Sequence, residues 1–348
     1  MAPFSSRVLS DSTITAISMP DHVWTPLPAL SALAPTSVDS SALEIPISGR
    51  WLIVGALLSL FAVMLLMWNA GLTLDLHSPM NAALLSVAFV ACALRYTYRN
   101  PDTRAQRIMR DAAEYIGLFT MVVVMGALAS YPVAAKTAGY VDATLERIDH
   151  IFRFDWVAWY DVTAAHRSLQ ILGSIAYASI YVTPIVLLCH FAMADRKAEA
   201  RSFIASFWLA AIMTLMLFMA FPAAGPLAFL VHGPIPYMPT SALYQSELIP
   251  VLRDGVFREV SLGTLRGLVC APSFHTTSAV LYMLTAWSAG SLRWPLIAVN
   301  CAMLLSIPVE GTHYLADMIG GTLVGIVAFT ALKVLSRRLL MRTILDIS

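Results

Sequence analysis

Long apolar runs limit what this chain can fold into more than any other feature does. A helix that crosses the hydrocarbon core of a bilayer needs about 20 mostly apolar residues, with about 17 near the lower limit. Eight runs meet or approach that length: residues 51–68, 80–94, 116–131, 168–191, 203–221, 273–292, 294–308 and 314–336. Hydrophobic residues make up 58% of the chain and charged residues 12%, against about 25% charged in soluble proteins, so lipid must solvate most of it. The sequence therefore predicts an all-α, polytopic transmembrane bundle of about eight helices.

Charge and cysteine content exclude several other classes. The net charge of +1 argues against a nucleic-acid binder that works through bulk charge. The four cysteines, Cys92, Cys189, Cys270 and Cys301, are too far apart in sequence for a disulfide framework or a zinc knuckle. Residues 1–50 are rich in Ser, Thr, Pro and Ala and lack an apolar period, so we expect a mostly disordered tail.

The basic residues predict the orientation of the bundle. They cluster in three connections that fall on one side of an eight-helix chain, namely Arg95, Arg99, Arg104, Arg107 and Arg110, then Arg196, Lys197 and Arg201, then Arg337, Arg338 and Arg342. The positive-inside rule then places both termini in the cytoplasm. The long loops 132–167 and 222–272 face outward, to the periplasm or a lumen.

Four ionisable residues near the outward ends of predicted helices are functional candidates, because charge at membrane depth is costly. They are His275, Glu310, His313 and Asp317. His275 lies in CAPSFHTTSA, where the proline can open a helix and Ser273 can cap it. A helix that starts there directs free N–H groups and the positive end of its dipole outward, which favours an anion.

His313 and Asp317 are four residues apart in PVEGTHYLADMIGG. At a helix start they would share one face, so the carboxylate can accept a hydrogen bond from one imidazole nitrogen and leave the other facing substrate. In the predicted topology His275 and His313 begin two helices at the same face. Two histidines, one oriented by a carboxylate, beside an anion-binding helix start indicate phosphoryl transfer through a phosphohistidine.

Other functions fit parts of this pattern. The same histidines and carboxylates suit zinc, but their spacing does not require it, and we expect neither a metal nor another cofactor. A transporter with a proton relay would carry charges in the middle of its helices. The other apolar runs contain none apart from Lys333, near a helix end.

PSFH at residues 272–275 and HYLAD at residues 313–317 resemble the second and third signature motifs of the type 2 phosphatidic acid phosphatase (PAP2) superfamily. The resemblance implies a six-helix catalytic core at residues 112–337. Two extra transmembrane helices would occupy residues 51–111, and residues 338–348 would form a basic cytoplasmic tail. The implied activity is that of a membrane phosphotransferase or phosphatase that acts on lipids.

The resemblance also implies roles for single residues. His313 would be the nucleophile, Asp317 its orienting partner, His275 the general acid and Ser273 a phosphate contact. The superfamily's third motif usually has Ser-Arg seven and six residues before its histidine, but Ile307 stands where that arginine would be. The first motif, K-x6-R-P, is also missing. Without these cations, a singly charged phosphodiester is a better substrate than a doubly charged monoester.

In lacking these cations the chain resembles one branch of the superfamily, the inositolphosphotransferases and inositol phosphorylceramide synthases. These enzymes act in sphingolipid metabolism and also carry a Pro-rich stretch like FPAAGP. It implies transfer of a headgroup such as phosphoinositol from a phospholipid donor to a lipid alcohol acceptor, with no obligate protein partner. Arg253, Arg258 and Arg266 are the candidate replacement cations, although contact with interfacial lipid phosphates explains each equally well. Hydrolysis of a lipid phosphate and non-enzymatic lipid transport stay open as alternatives.

Overall fold

The computed structural model describes residues 47–345, with side chains up to residue 339. The predicted N-terminal tail lies outside the described residues except for its last four positions. Gly49, one of those four, already begins the first helix.

The described part of the chain forms twelve α-helices and one pair of two-residue strands. The helices are α1 (Gly49–Asn69), α2 (Pro79–Thr97), α3 (Arg104–Ala134), α4 (Asp142–Ile151), α5 (Trp156–Ala165), α6 (Arg167–Met193), α7 (Lys197–Ala220), α8 (Pro226–Leu230), α9 (Tyr244–Arg253), α10 (Phe274–Ala286), α11 (Arg293–Glu310) and α12 (Leu315–Leu345). Strands β1 (Thr73–Leu74) and β2 (Glu259–Val260) pair in parallel. Seven helices, α1, α2, α3, α6, α7, α11 and α12, are long and apolar enough to cross a membrane. The predicted all-α polytopic bundle is confirmed.

The sixth apolar run forms a shorter helix than the others. Helix α10 has 13 residues, which is about 20 Å of rise, and a 3-10 turn at Gly290–Leu292 follows it. Gly290 adopts a φ of 61° and turns the chain into α11. Because α10 packs among α6, α7, α11 and α12, its neighbours rather than lipid surround it, and its length need not match the bilayer.

Ion pairs connect the first two basic clusters, those around the start of α3 and around the start of α7, at one end of the bundle. We call this end the arginine end. Glu114 of α3 contacts Arg95 of α2 at 2.9 Å and Arg201 of α7 at 2.7 Å. Arg196 donates to the carbonyl of Ser288, just after α10, so α10 ends there. His275 begins α10 and therefore lies at the opposite end, the histidine end. The grouping of the loops is thus a structural fact, while the side of the membrane that each end faces stays a prediction.

Close packing of α10 against α12 depends on two glycines of α12. An ideal Cβ on Gly321 would lie 2.2 Å from the carbonyl oxygen of Ser273, and one on Gly325 would lie 3.2 Å from that of Thr277. The Thr277 hydroxyl donates to the Gly321 carbonyl at 2.9 Å. The GxxxG pattern therefore brings two helices together inside the bundle.

The aromatic sequence RIDHIFRFDWVAWY, at residues 147–160, belongs to two helices. Helix α4 ends at Ile151, Arg153 takes a left-handed φ of 56°, and Asp155 caps α5 by accepting from the Ala158 N–H at 3.0 Å. The Asp155 cap and the left-handed residue before it start a new helix locally. The break directs the two helices to different contacts around the histidine end.

Candidate active site

His313 and Asp317 are in contact and fully buried at the histidine end. His313 Nδ1 lies 3.1 Å from Asp317 Oδ1, and the two residues are 1% and 2% exposed. The other carboxylate oxygen, Oδ2, accepts from the Tyr314 N–H at 2.9 Å. Asp317 therefore faces His313 with one oxygen and fixes the backbone beside it with the other.

The backbone around this pair differs from the prediction in one respect. His313 does not share a helix face with Asp317, because α12 begins at Leu315 and His313 lies in the turn before it. Thr312 adopts a φ of 51°, an uncommon conformation for a residue with a side chain. The contact survives because the first helical turn brings Asp317 back toward the preceding turn. Strained backbone of this kind is often found at functional sites.

The start of α10 provides a site for an anion. Ser273 caps the helix as predicted, since its hydroxyl oxygen accepts from the Thr276 N–H at 3.3 Å. The Ser273 N–H donates to the Asp317 carbonyl at 3.0 Å, which joins the start of α10 to α12. Within the described residues, the N–H groups of Phe274 and His275 make no hydrogen bond. These two N–H groups, with the positive end of the helix dipole behind them, favour a phosphoryl oxygen.

His275 stands between His313 and an aromatic ring of α6. Its ring centroid lies 6.1 Å from that of His313 and 4.5 Å from that of Tyr177, on which it stacks with an interplanar angle of 21°. Tyr177 donates or accepts a hydrogen bond with Ser241 at 3.4 Å. The stacking on Tyr177 fixes the plane of the His275 imidazole beside His313.

Two acidic residues of α4 position the segment that carries His313 and Asp317. Asp149 accepts from the N–H groups of Leu315 and Ala316 at 2.9 and 2.7 Å, so it neutralises the start of α12. Burial raises the pKa of Asp149 above its ordinary value, although these two hydrogen bonds oppose the shift. Asp142 accepts from the Tyr314 hydroxyl at 3.0 Å. Sequence reasoning missed both, because neither lies near a motif.

The same Asp142 carboxylate anchors the FPAAGP stretch beside the histidines. It accepts from the N–H groups of Ala224 and Gly225, each at 2.9 Å. Gly225 adopts a φ of 96°, and a Cβ there would lie 3.1 Å from the Thr312 carbonyl oxygen. Glycine is needed here for both its backbone angle and the close approach. The Pro-rich stretch thus forms one wall of the site.

Glu310, the fourth ionisable candidate, stabilises the loop above the site. Its carboxylate accepts from the Tyr237 hydroxyl at 2.6 Å, from Ser174 at 3.2 Å, and from both the N–H and the hydroxyl of Thr240 at 3.1 and 2.6 Å. Burial, followed by the hydrogen bond to Glu310, raises the pKa of Tyr237 to about 12. These contacts occupy the Glu310 carboxylate, so we assign it a structural role.

Cys270 lies against the His313–Asp317 pair, a contact that no motif in the sequence predicts. Its Sγ atom is 3.8 Å from Asp317 Oδ2 and 4.0 Å from His313 Nδ1, and the residue is 0% exposed. Burial raises the pKa of the Cys270 thiol well above its ordinary value. The side chain is therefore a neutral thiol that can donate weakly to the carboxylate.

The three nominated arginines contact groups other than the histidines. Arg253 donates to the Thr137 hydroxyl at 2.9 Å and lies over the Tyr140 ring, 4.5 Å from its centroid. Arg258 donates to the Gly255 carbonyl at 3.0 Å, and Arg266 lies 4.7 Å from the centroid of the Tyr244 ring. Among the described contacts, none of the three arginines pairs with a residue at the start of α10.

An apolar cavity adjoins His275. It has a volume of about 470 Å³, and helices α2, α3, α6, α7 and α10 line it together with part of the loop before α10. This volume falls within the range of about 300–1,000 Å³ that is usual for small-molecule sites. His275 and Ser278 contribute from α10, and Phe207 and Thr214 from α7. The cavity therefore places an apolar space directly beside His275.

Comparison with known proteins identifies the family. A sequence model described as the PAP2 superfamily matches residues 143–331, which is just over half of the chain and runs from α4 into α12. The matched range includes His275, His313 and Asp317. No individual curated protein and no solved structure gives a significant match.

Proposed function

This chain belongs to the PAP2 superfamily, and from that membership we propose that it transfers a phosphoryl headgroup from a phospholipid donor to a lipid alcohol through a phosphohistidine at His313. Members of the superfamily act on lipids as phosphatases or phosphotransferases, so the chain is an integral membrane enzyme of that kind. The finer proposal concerns the nucleophile, the steps and the acceptor.

The contact between His313 Nδ1 and Asp317 Oδ1 at 3.1 Å carries the proposal. With its proton on Nδ1, the nitrogen on the side of the carboxylate, the imidazole presents the lone pair of Nε2 to phosphorus. In the first step Nε2 attacks the phosphodiester, the bond from phosphorus to the diacylglycerol oxygen breaks, and His275 gives that oxygen a proton. Asp317 stabilises the positive charge that develops on the His313 ring.

The second step reverses these roles. The hydroxyl of the acceptor lipid attacks phosphorus, His275 takes the hydroxyl proton, and the bond to Nε2 breaks. Throughout, the free N–H groups of Phe274 and His275 at the start of α10 can stabilise the phosphoryl oxygens. Each step then needs one proton donor or acceptor, and His275 supplies both functions.

Burial of the site favours transfer over hydrolysis, and its charge favours a phosphodiester over a phosphomonoester. His313 and Asp317 are 1% and 2% exposed, and Ser273 is 0% exposed, so bulk water has little access to a phosphohistidine. Among the described residues, backbone N–H groups rather than arginines face a bound phosphoryl group at the start of α10. Neutral donors of this kind stabilise a group with one negative charge better than a group with two. A phosphodiester carries one.

The cavity beside His275 supports a lipid substrate. A hydrocarbon chain gains about 0.8 kcal/mol for each CH₂ that leaves water, so an apolar chamber next to the imidazole favours substrates with tails over soluble esters. We propose that the headgroup meets His313 while one tail lies in this cavity. The basic clusters at the arginine end support an outward-facing site, with both termini in the cytoplasm.

Transfer of label between lipids tests the proposal. The purified protein is placed in vesicles with a phospholipid labelled in its phosphoryl headgroup, with and without a long-chain lipid alcohol. We expect a labelled lipid product that forms only with the acceptor and disappears in His313→Ala. His190→Ala, at the far end of α6, is the matched control and should keep its activity.

The other outcomes contradict the proposal in distinct ways. Release of a water-soluble labelled headgroup, independent of the alcohol, would identify a lipid phosphatase instead. Movement of intact labelled lipid between leaflets with no chemical change would identify a transporter.

A further inference from the structure

Three buried groups around the dyad have the arrangement of metal ligands. One donor atom from each of Cys270, His313 and Asp317 lies within 4.8 Å of the other two. The separations are 3.1 Å from His313 Nδ1 to Asp317 Oδ1, 3.8 Å from Cys270 Sγ to Asp317 Oδ2, and 4.0 Å from Cys270 Sγ to His313 Nδ1. The proposed reaction uses His313 and Asp317 but leaves Cys270 without a role.

The distance between His313 Nδ1 and Asp317 Oδ1 is close to that between two ligand atoms of a zinc site. Zinc binds thiolate sulfur at about 2.3 Å and imidazole nitrogen or carboxylate oxygen at about 2.0–2.2 Å, which puts two ligand atoms of a tetrahedral site roughly 3.3–3.7 Å apart. His313 Nδ1 and Asp317 Oδ1 are already near this separation, whereas Cys270 Sγ, at 4.0 Å from Nδ1, would have to move toward the two atoms when an ion binds. Sulfur together with nitrogen and oxygen selects a thiophilic ion over Mg²⁺ or Ca²⁺.

An unsatisfied oxygen at the centre of the cluster supports this assignment. Asp317 Oδ1 is buried and, among the described residues, has no well-aligned hydrogen-bond donor, although His313 Nδ1 lies 3.1 Å away. A buried carboxylate oxygen without an aligned donor is costly. A cation between Oδ1, Nδ1 and Sγ would satisfy it.

We propose that Cys270, His313 and Asp317 form a site for Zn²⁺ or Cd²⁺ and that binding of the ion inhibits the enzyme. On binding, the Cys270 thiol loses its proton to solvent, and the imidazole proton moves from Nδ1 to Nε2 so that Nδ1 can donate its lone pair to the ion. A protonated Nε2 has no lone pair with which to attack phosphorus. The inhibition rests on the proposed function, whereas the binding does not.

Cadmium absorption tests the binding directly. The bond between Cd²⁺ and a thiolate has an ultraviolet charge-transfer band, which is measured in a protein where Cys92, Cys189 and Cys301 are replaced by Ser, so that Cys270 is the remaining thiol. We expect a band that saturates at one Cd²⁺ per chain and is lost in Cys270→Ser. His313→Ala should weaken binding at least tenfold while keeping the thiol, since it removes one of three ligands.

Absence of the band would overturn the proposed metal site. So would a Cd²⁺ titration that His313→Ala and Asp317→Asn leave unchanged.

Inhibition is measured in parallel, with each variant compared with its own rate before Cd²⁺ is added. The protein with all four native cysteines and Cys189→Ser should both lose activity as Cd²⁺ binds, whereas the residual activity of Cys270→Ser should resist at least tenfold more Cd²⁺. Stoichiometric binding without inhibition would contradict the inhibitory effect and the role of His313 as nucleophile, while leaving the site itself established.

Discussion

Replacing Gly321 by alanine should separate the two helices that carry the histidines. A Cβ at this position would lie 2.2 Å from the Ser273 carbonyl oxygen, which is backbone and cannot rotate away. Ordinary contact between such atoms begins near 3.4 Å, so α10 and α12 must move apart by about 1 Å. Because Ser273 is the cap of α10, the shift displaces the anion site and His275 from His313.

The size of the effect follows from this displacement. A misplacement of about 1 Å can lower the rate of a positioned reaction by about 100-fold. Overpacking of a buried contact costs about 1–3 kcal/mol. Alanine in a helix is itself more stable than glycine by about 0.5–1 kcal/mol, so the net loss of stability should be small and the chain should still fold.

The assay is transfer of headgroup label by purified Gly321→Ala, with thermal unfolding in the same detergent. Gly126→Ala in α3 is the matched control, since its Cβ would meet the Ala211 Cβ at 3.9 Å, an ordinary contact. We expect kcat to fall about 100-fold in Gly321→Ala and to change little in Gly126→Ala. Near-normal activity of Gly321→Ala would refute the claim that close packing of α10 on α12 sets the geometry of the site.

Three further predictions concern the supporting residues, metal and orientation. Asp149→Ala should lower the free energy of unfolding by about 1–3 kcal/mol and reduce activity, because it removes the carboxylate that accepts two N–H groups at the start of α12. The control Glu146→Ala, which loses only an ion pair at 3.6 Å with His150, should have little effect. Equal unfolding temperatures of the two variants would contradict this prediction. Prolonged EDTA treatment should leave activity intact, because backbone N–H groups and the helix dipole stabilise the phosphoryl oxygens without a metal ion. Loss of activity that zinc restores would mean that the histidines bind a metal needed for catalysis. In intact cells a membrane-impermeant thiol reagent should label Val256→Cys and not Arg104→Cys, relative to the parent protein, and the reverse pattern would invert the proposed orientation.

Local features of the site could be predicted from the sequence because short-range rules determine them. The Pro-Ser start of α10 predicts a cap, and the structure has Ser273 in that position. The four-residue spacing of His313 and Asp317 predicts a contact, which the structure shows at 3.1 Å, although α12 begins two residues after His313. The start was predicted too early because the left-handed Thr312 and the Asp317 bond to the Tyr314 N–H place the helix boundary after His313.

The supporting contacts could not be predicted, because they join residues that are distant in the chain. Asp149 bonds groups 166 and 167 positions away, and Glu310 bonds Tyr237 and Thr240 across a loop. A single acidic residue carries no sequence pattern that indicates its partner. Cys270 also gave no signal, since one cysteine five residues before His275 is equally consistent with a buried apolar position.

Mapping the phosphoenzyme tests the central claim most directly. The protein is mixed with a phospholipid labelled at phosphorus, without acceptor, and stopped in alkali, where phosphohistidine survives; peptides are then identified by mass spectrometry. The account predicts the labelled phosphoryl headgroup on the peptide that contains His313, no such adduct in His313→Ala, and formation slowed by about 10²–10⁴-fold in His275→Ala, which lacks the general acid. The labelled adduct on any other residue, or near-normal turnover by His313→Ala, would contradict it.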